Sequence, residues 1–252
     1  MSPEDYLKLV EGWQDPNPAP IIETHGRVEV VRDDKLEVGS KARFCDFLIS
    51  RNPQVKEWVF GSAPSAGYGP ISLAYLCKKY GTKCVFFCTE RKKSGPHPFQ
   101  QRAMEYGAKF YWSENRGPGM LRVNQSAAES YTNENPKKRR LLPLGLNHPT
   151  TLGSIIKVAR GMNIDPKEIW SVGSSGTLSR GLQLAFPRAD VNVVQVGHKM
   201  TPDEYGRANV FVSPYKKLSI PVKEFDAPPF PSVSSYDAKA WPFIRVHGKK
   251  GA

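Results

Sequence analysis

Lys41 stands in the stretch Val38-Gly39-Ser40-Lys41-Ala42-Arg43, just ahead of the apolar run Phe44-Cys45-Asp46-Phe47-Leu48-Ile49. The glycine permits a sharp turn into a helix and the serine can cap it, which sets the lysine in the first turn. A lysine fixed there can form a Schiff base with a carbonyl cofactor; a solvated surface lysine is the plain alternative. A second stretch, Ser171-Val172-Gly173-Ser174-Ser175-Gly176-Thr177-Leu178, runs from an apolar strand through a Gly/Ser/Thr turn into a helix. Small residues let backbone N–H groups approach a phosphate, the helix start adds a favourable dipole, and the hydroxyls can donate. It is neither a Walker loop nor the dinucleotide fingerprint, and an ordinary capped turn explains it equally well. The turn Gly61-Ser62-Ala63-Pro64-Ser65-Ala66-Gly67-Tyr68-Gly69 also joins a strand to a helix, at the strand end where α/β proteins bind ligands. In Ser234-Ser235-Tyr236-Asp237-Ala238-Lys239-Ala240 a phenol stands beside a carboxylate, a pair suited to proton transfer and cation binding.

The elements around these stretches alternate. Strand patterns are read over 27–31, 57–60, 83–87, 109–112, 168–172 and 191–196. Helix patterns follow Lys41 and cover 70–80, 98–106, 121–131, 149–162 and 177–185, with Pro70 suited to a first turn. Residues 1–25 read as a short helix and a Pro-rich lead-in, and 62–68 as a turn. This alternation predicts an α/β protein with largely parallel sheets and right-handed crossovers. The last fifty residues are rich in Pro and aromatics, without a long helix pattern, and suit wrapping the body or meeting a partner.

A chain of 252 residues with 39% apolar residues and 11% aromatics buries a proper core, which excludes wholesale disorder. No apolar run reaches membrane-span length, and the acidic start Met1-Ser2-Pro3-Glu4-Asp5 is no signal peptide, so a cytoplasmic protein without a membrane partner is expected. The four cysteines, Cys45, Cys77, Cys84 and Cys88, lack metal-ligand spacing and read as buried free thiols. The net charge of +12 suits an anionic substrate or a nucleic acid, although the positives are dispersed and the densest run, Pro136-Lys137-Lys138-Arg139-Arg140, reads as a polar loop.

The order and spacing of the chemical stretches resemble the fold-type II pyridoxal-phosphate enzymes, most closely the branch of aminocyclopropane-carboxylate deaminase and D-cysteine desulfhydrase. The resemblance runs from about Arg27 to Ala240. Val31-Arg32-Asp33-Asp34 with Gly39-Ser40-Lys41-Ala42-Arg43 is similar to the family's strand and lysine motif. Leu142-Pro143-Leu144-Gly145 with His148-Pro149 resembles the segment ahead of its phosphate loop, and Tyr236-Asp237-Ala238-Lys239-Ala240 its closing motif. The resemblance implies a tryptophan synthase β-like, two-domain α/β fold, with a large domain of 1–44 and 141–252 and a small inserted domain of 45–140. It implies pyridoxal 5'-phosphate as cofactor and Lys41 as its aldimine lysine and proton shuttle. Gly173, Ser174, Ser175, Gly176 and Thr177 then anchor the phosphate, Asp237 meets the pyridine nitrogen, and Tyr236 faces substrate. Ser65, Gly67 and Tyr68 line the substrate loop.

The implied activity is deamination, elimination or decarboxylation of an amino acid or amino-acid-like group, in a homodimer. Gly67-Tyr68 stands where the family has a Ser-Asn pair, and Ser40 where it has an asparagine. The chain is also some tens of residues shorter than the family, mostly between Val196 and Ser235. Two alternatives remain open: action on an amino-acid-modified nucleic-acid base, and a non-catalytic scaffold or polyanion binder.

Overall fold

The computed structural model describes the chain apart from residues 62, 64–66, 91–94, 115, 116, 118, 198, 216 and 250–252. In chain order its elements begin with α1 (Pro3–Lys8), β1 (Ile22–His25), β2 (Val28–Val31) and α2 (Ser40–Ser50). Next come β3 (Glu57–Phe60), α3 (Gly69–Lys79), β4 (Lys83–Thr89), α4 (Pro98–Glu105), β5 (Lys109–Ser113), α5 (Met120–Asn133) and β6 (Arg139–Leu141). The rest are α6 (Pro149–Gly161), β7 (Glu168–Gly173), α7 (Thr177–Ala185), β8 (Asp190–Gln195), α8 (Pro202–Tyr205), β9 (Asn209–Val212) and α9 (Trp241–His247). The chain divides into two compact units, Met1–Lys35 with Asn147–Ala252, and Leu36–Leu146.

In the Leu36–Leu146 unit a parallel sheet runs in the order β5-β4-β3-β6. Cys84 through Cys88 of β4 are all buried, as a parallel strand covered on both faces requires. Ala42, Cys45, Leu48 and Ile49 of α2 share one core with Ile71, Leu73 and Leu76 of α3. That shared core explains why the unit begins ahead of α2. The sequence-drawn boundary at 44/45 falls inside this helix, and the one at 140/141 falls inside β6.

The basic run departs from its reading as a loop. Arg139 and Arg140 lie in β6, with Arg139 paired across to Glu57 of β3. Its guanidinium meets Glu57 and Glu134, each at 2.9 Å, and stands 3.6 Å above the Tyr131 ring. Opposite charges across the ladder, with an aromatic platform, hold a run that looks solvated when read alone. All four cysteines are free and buried.

In the other unit β7, β8 and β9 form a parallel sheet in that order. Ile156 and Ala159 of α6 pack with Ala185 and Phe186 against Ile169. Val172, Val194 and Val196 pack instead under Tyr236, Ala240, Phe243 and Ile244. The Pro/aromatic tail thus covers part of its own sheet. β1 and β2 form an antiparallel hairpin about Gly26, whose φ is 62°. Neither β1 nor β9 stands out in the sequence, since each is four residues long beside Pro-rich or aromatic segments. Among the described residues no helix is long and apolar enough to cross a membrane.

Candidate active site

Gly39, with φ 77°, is the N-cap of α2, and no side chain caps this helix. Ser40 occupies the first helical position instead of the expected cap, because the left-handed turn falls one residue earlier. A Cβ at position 39 would come within 3.0 Å of Cβ and Cδ1 of Tyr68. Glycine therefore lets the Tyr68 ring pack against the start of α2. Ser72, buried in the apolar face of α3, reaches the carbonyl of Val38 and, at 2.9 Å, that of Tyr68. One hydroxyl ties the two segments together. Tyr68 in turn lies 5.0 Å from the Phe99 ring of α4.

Lys41 follows in the first turn of α2 and is exposed. Its stem runs beside Gly69, where a Cβ would lie 3.6 Å from the lysine Cδ. No described residue of its own unit pairs with its ε-amine. This unit therefore gathers Lys41, Gly67 and Tyr68 at the starts of α2 and α3. Ser65 lies outside the described residues, as do Ser62, Pro64 and Ala66 of the same turn.

The remaining candidates belong to the other unit. Gly173 ends β7, Gly176 (φ 68°) is the N-cap of α7, and no side chain caps this helix either. No described residue of the unit accepts the backbone N–H of Ser175 or Gly176. Uncapped amides at a helix start are donors for an anion. The hydroxyls of Ser175 and Thr177 approach to 3.5 Å. Gly176 is constrained from behind as well, because a Cβ there would lie 1.7 Å from the carbonyl oxygen of Glu204 in α8. Gly173 is similarly tight, with a Cβ 2.9 Å from Val193 Cγ2.

Tyr236 turns its hydroxyl to this loop. It donates to the carbonyl of Val172 at 3.4 Å and faces the backbone N–H and hydroxyl of Ser174. Burial, with the charge of Asp237 beside it, pushes the phenol up to about 12, and the Ser174 bonds offset only part of this. Asp237 is exposed and opens the 3-10 turn Asp237–Ala240. Lys239 in that turn is fully buried and donates to the carbonyl of Lys217 at 2.8 Å; burial pulls its pKa down. The unit thus unites a charge-accepting loop, a protonated phenol and a carboxylate.

Several supporting residues escape a reading of the sequence. Ser72 leaves a trace, a lone serine within Pro70-Ile71-Ser72-Leu73-Ala74. Phe99 and Glu204 leave none, because their roles come only from contacts across the fold.

A scan against protein-family models found no match, and a search of curated proteins found none. Solved structures do match in fold. An aminocyclopropane-carboxylate (ACC) deaminase homologue is 12% identical with a TM-score of 0.77, over 99% of this chain and 91% of its own. A pyridoxal 5'-phosphate-dependent aspartate racemase is 17% identical with a TM-score of 0.63, over 99% of this chain and 78% of its own. Threonine deaminase isoform 2 from Solanum lycopersicum, in its processed form, is 15% identical with a TM-score of 0.62 over 84% of this chain. The chain spans only 61% of that enzyme's length. At these identities the likeness establishes the fold, that of the fold-type II pyridoxal-phosphate enzymes.

Proposed function

We propose that this protein is a pyridoxal-phosphate-dependent enzyme that deaminates or eliminates from an amino acid, with Lys41 as the residue that holds the cofactor. The observation that carries the reading is the β7–α7 loop. Its Ser175 and Gly176 amides find no acceptor among the described residues of their unit, at an uncapped helix start, beside a phenol held neutral. Residues of this kind fit a phosphate dianion on one side and a proton-handling group on the other. When bound, pyridoxal phosphate supplies an electron sink for the bond broken at the substrate's α-carbon.

The chain's own residues do the rest. Ser174, Ser175, Gly176 and Thr177 hold the phosphate through amides and hydroxyls, with Gly173 leaving room at the strand end. The ε-amine of Lys41, exposed and without a partner among the described residues of its unit, is available to bond the cofactor's carbonyl carbon and to carry a proton at the substrate carbon. Tyr236, neutral well above physiological pH, donates a proton or positions the substrate and does not act as a resting base. Asp237 offers a carboxylate to the pyridine nitrogen. Gly67 and Tyr68 line the substrate side, where the Tyr68 ring, braced by Phe99, supplies an apolar surface in place of a polar pair.

The test is turnover. The protein reconstituted with pyridoxal phosphate is incubated with a panel of D- and L-amino acids, and the release of ammonia with a 2-oxo acid is measured. Release with at least one substrate, abolished by Lys41→Ala, is the expected outcome. No product from any substrate by a folded, cofactor-loaded protein would remove the enzyme reading and leave a scaffold.

A further inference from the structure

We infer that the unit formed by Met1–Lys35 and Asn147–Ala252 also carries a nucleotide-binding pocket, built from His25, Arg27, Trp241 and Arg245. None of these residues has a part in the function proposed above. They line an open surface cleft of about 510 Å³ together with Gly26 and Pro229. That volume lies in the range of small-ligand sites and suits one nucleotide.

Arg27 is the principal observation. One of its terminal nitrogens donates to the carbonyls of Ile244 and Arg245, each at 3.0 Å, at the C-terminal end of α9. Both acceptors are backbone carbonyls at a helix C-terminus, which orient the exposed guanidinium and set only a partial negative charge against it. Its other N–H groups meet no acceptor among the described residues of this unit. A guanidinium so held presents a ready fork to phosphate oxygens. Arg245 donates to the carbonyl of Phe225 at 3.0 Å and, unlike Arg27, is ion-paired with a carboxylate, that of Asp226 at 3.4 Å.

The titratable groups lining the cleft are His25, Arg27 and Arg245, so no carboxylate lines it. The nearest acids are already engaged. Glu23 meets His25 at 3.3 Å and also binds Arg32 and Lys35, while Asp226 accepts from the Tyr215 hydroxyl at 2.6 Å. Beside the cations lies flat aromatic surface. The rings of His25 and Phe230 are 4.9 Å apart, and Phe230 meets Trp241 edge-on at 5.5 Å. These contacts steady the half-buried indole, a ring type on which a base can stack. An anchored guanidinium beside a braced indole is the pairing that a phosphate and a planar base require together. The chain's net charge of +12 favours approach of such an anion.

The shared chemistry is a base with its phosphate, supplied either as a free mononucleotide or as one nucleotide of a single strand. The cofactor-saturated full chain is titrated at low salt with adenosine monophosphate, with inorganic phosphate and with a short single-stranded oligonucleotide. Tryptophan fluorescence and calorimetry are the readouts. Saturable binding of a nucleotide probe is expected, with the fluorescence change lost in Trp241→Phe and affinity lowered at least tenfold in Arg27→Gln. A mononucleotide that binds as well as the oligonucleotide marks a free ligand. Much tighter oligonucleotide binding that weakens steeply with salt marks a strand. Because Arg27 also caps α9, Arg245→Gln is measured alongside, and thermal melting checks that each variant is folded. No saturable binding of either nucleotide probe, or binding that neither folded arginine variant weakens, would overturn the pocket. Inorganic phosphate binding as tightly as the nucleotide would overturn the role of the rings.

Discussion

Tyr236 is held as a neutral phenol. Its phenol is buried against the loop that ends β7, beside the negative Asp237, and both push it up to about 12. The consequence for stability has a definite sign. Below about pH 10 the phenol is neutral in the folded and the unfolded chain alike, so it contributes no pH dependence there. Between about 10 and 12 the unfolded chain loses its proton first, and stability falls as pH rises through that window. A difference ultraviolet titration of the protein against Tyr236→Phe should show one phenol ionising near 12. A midpoint near 10 would mean that the hydroxyl faces water. Lys41 is the contrasting case at this scale, an exposed amine whose chemistry rests on what surrounds it. Its motif is visible in the sequence. Its neighbour Tyr68 is visible only as a departure from the pattern the sequence resembles, and the reason for Gly39 emerges when Tyr68 is found 3.0 Å from where a Cβ would stand.

At the scale of elements, the two strand–turn–helix junctions carry the proposed site, and both depend on glycines for reasons of packing. Gly176 combines a left-handed φ of 68° with a carbonyl of α8 where a side chain would have to go. Gly176→Ala should cost at least about 1–3 kcal/mol from backbone strain alone. In urea unfolding the midpoint should fall, and affinity for pyridoxal phosphate should fall with it as α8 or the loop shifts. Unchanged stability and affinity would show that α8 does not press on this turn. The longer elements were readable from pattern, because apolar runs such as Cys84-Val85-Phe86-Phe87 and turn residues such as Pro70 act locally. The short ones were not. β1 is defined by closing a hairpin on β2 through Gly26, β9 by joining the edge of β8, and β6 uses the Arg139–Glu57 pair to turn a basic run into a strand.

At the scale of the whole chain, the α/β class follows from alternation, whereas the unit boundaries follow from packing. No local signal tells that α2 shares its core with α3, so the sequence draws the boundary inside that helix. The site residues are likewise divided, with Lys41 in one unit and the loop, Tyr236 and Asp237 in the other. Joining them in one function is the central claim. It is tested most directly by adding pyridoxal phosphate to the purified protein, reducing with borohydride and mapping the modified peptide. The account predicts a yellow absorption band before reduction and a single stoichiometric adduct on Lys41, with Lys41→Ala colourless yet folded. An adduct spread over several surface lysines, or a band that persists in Lys41→Ala, would contradict it.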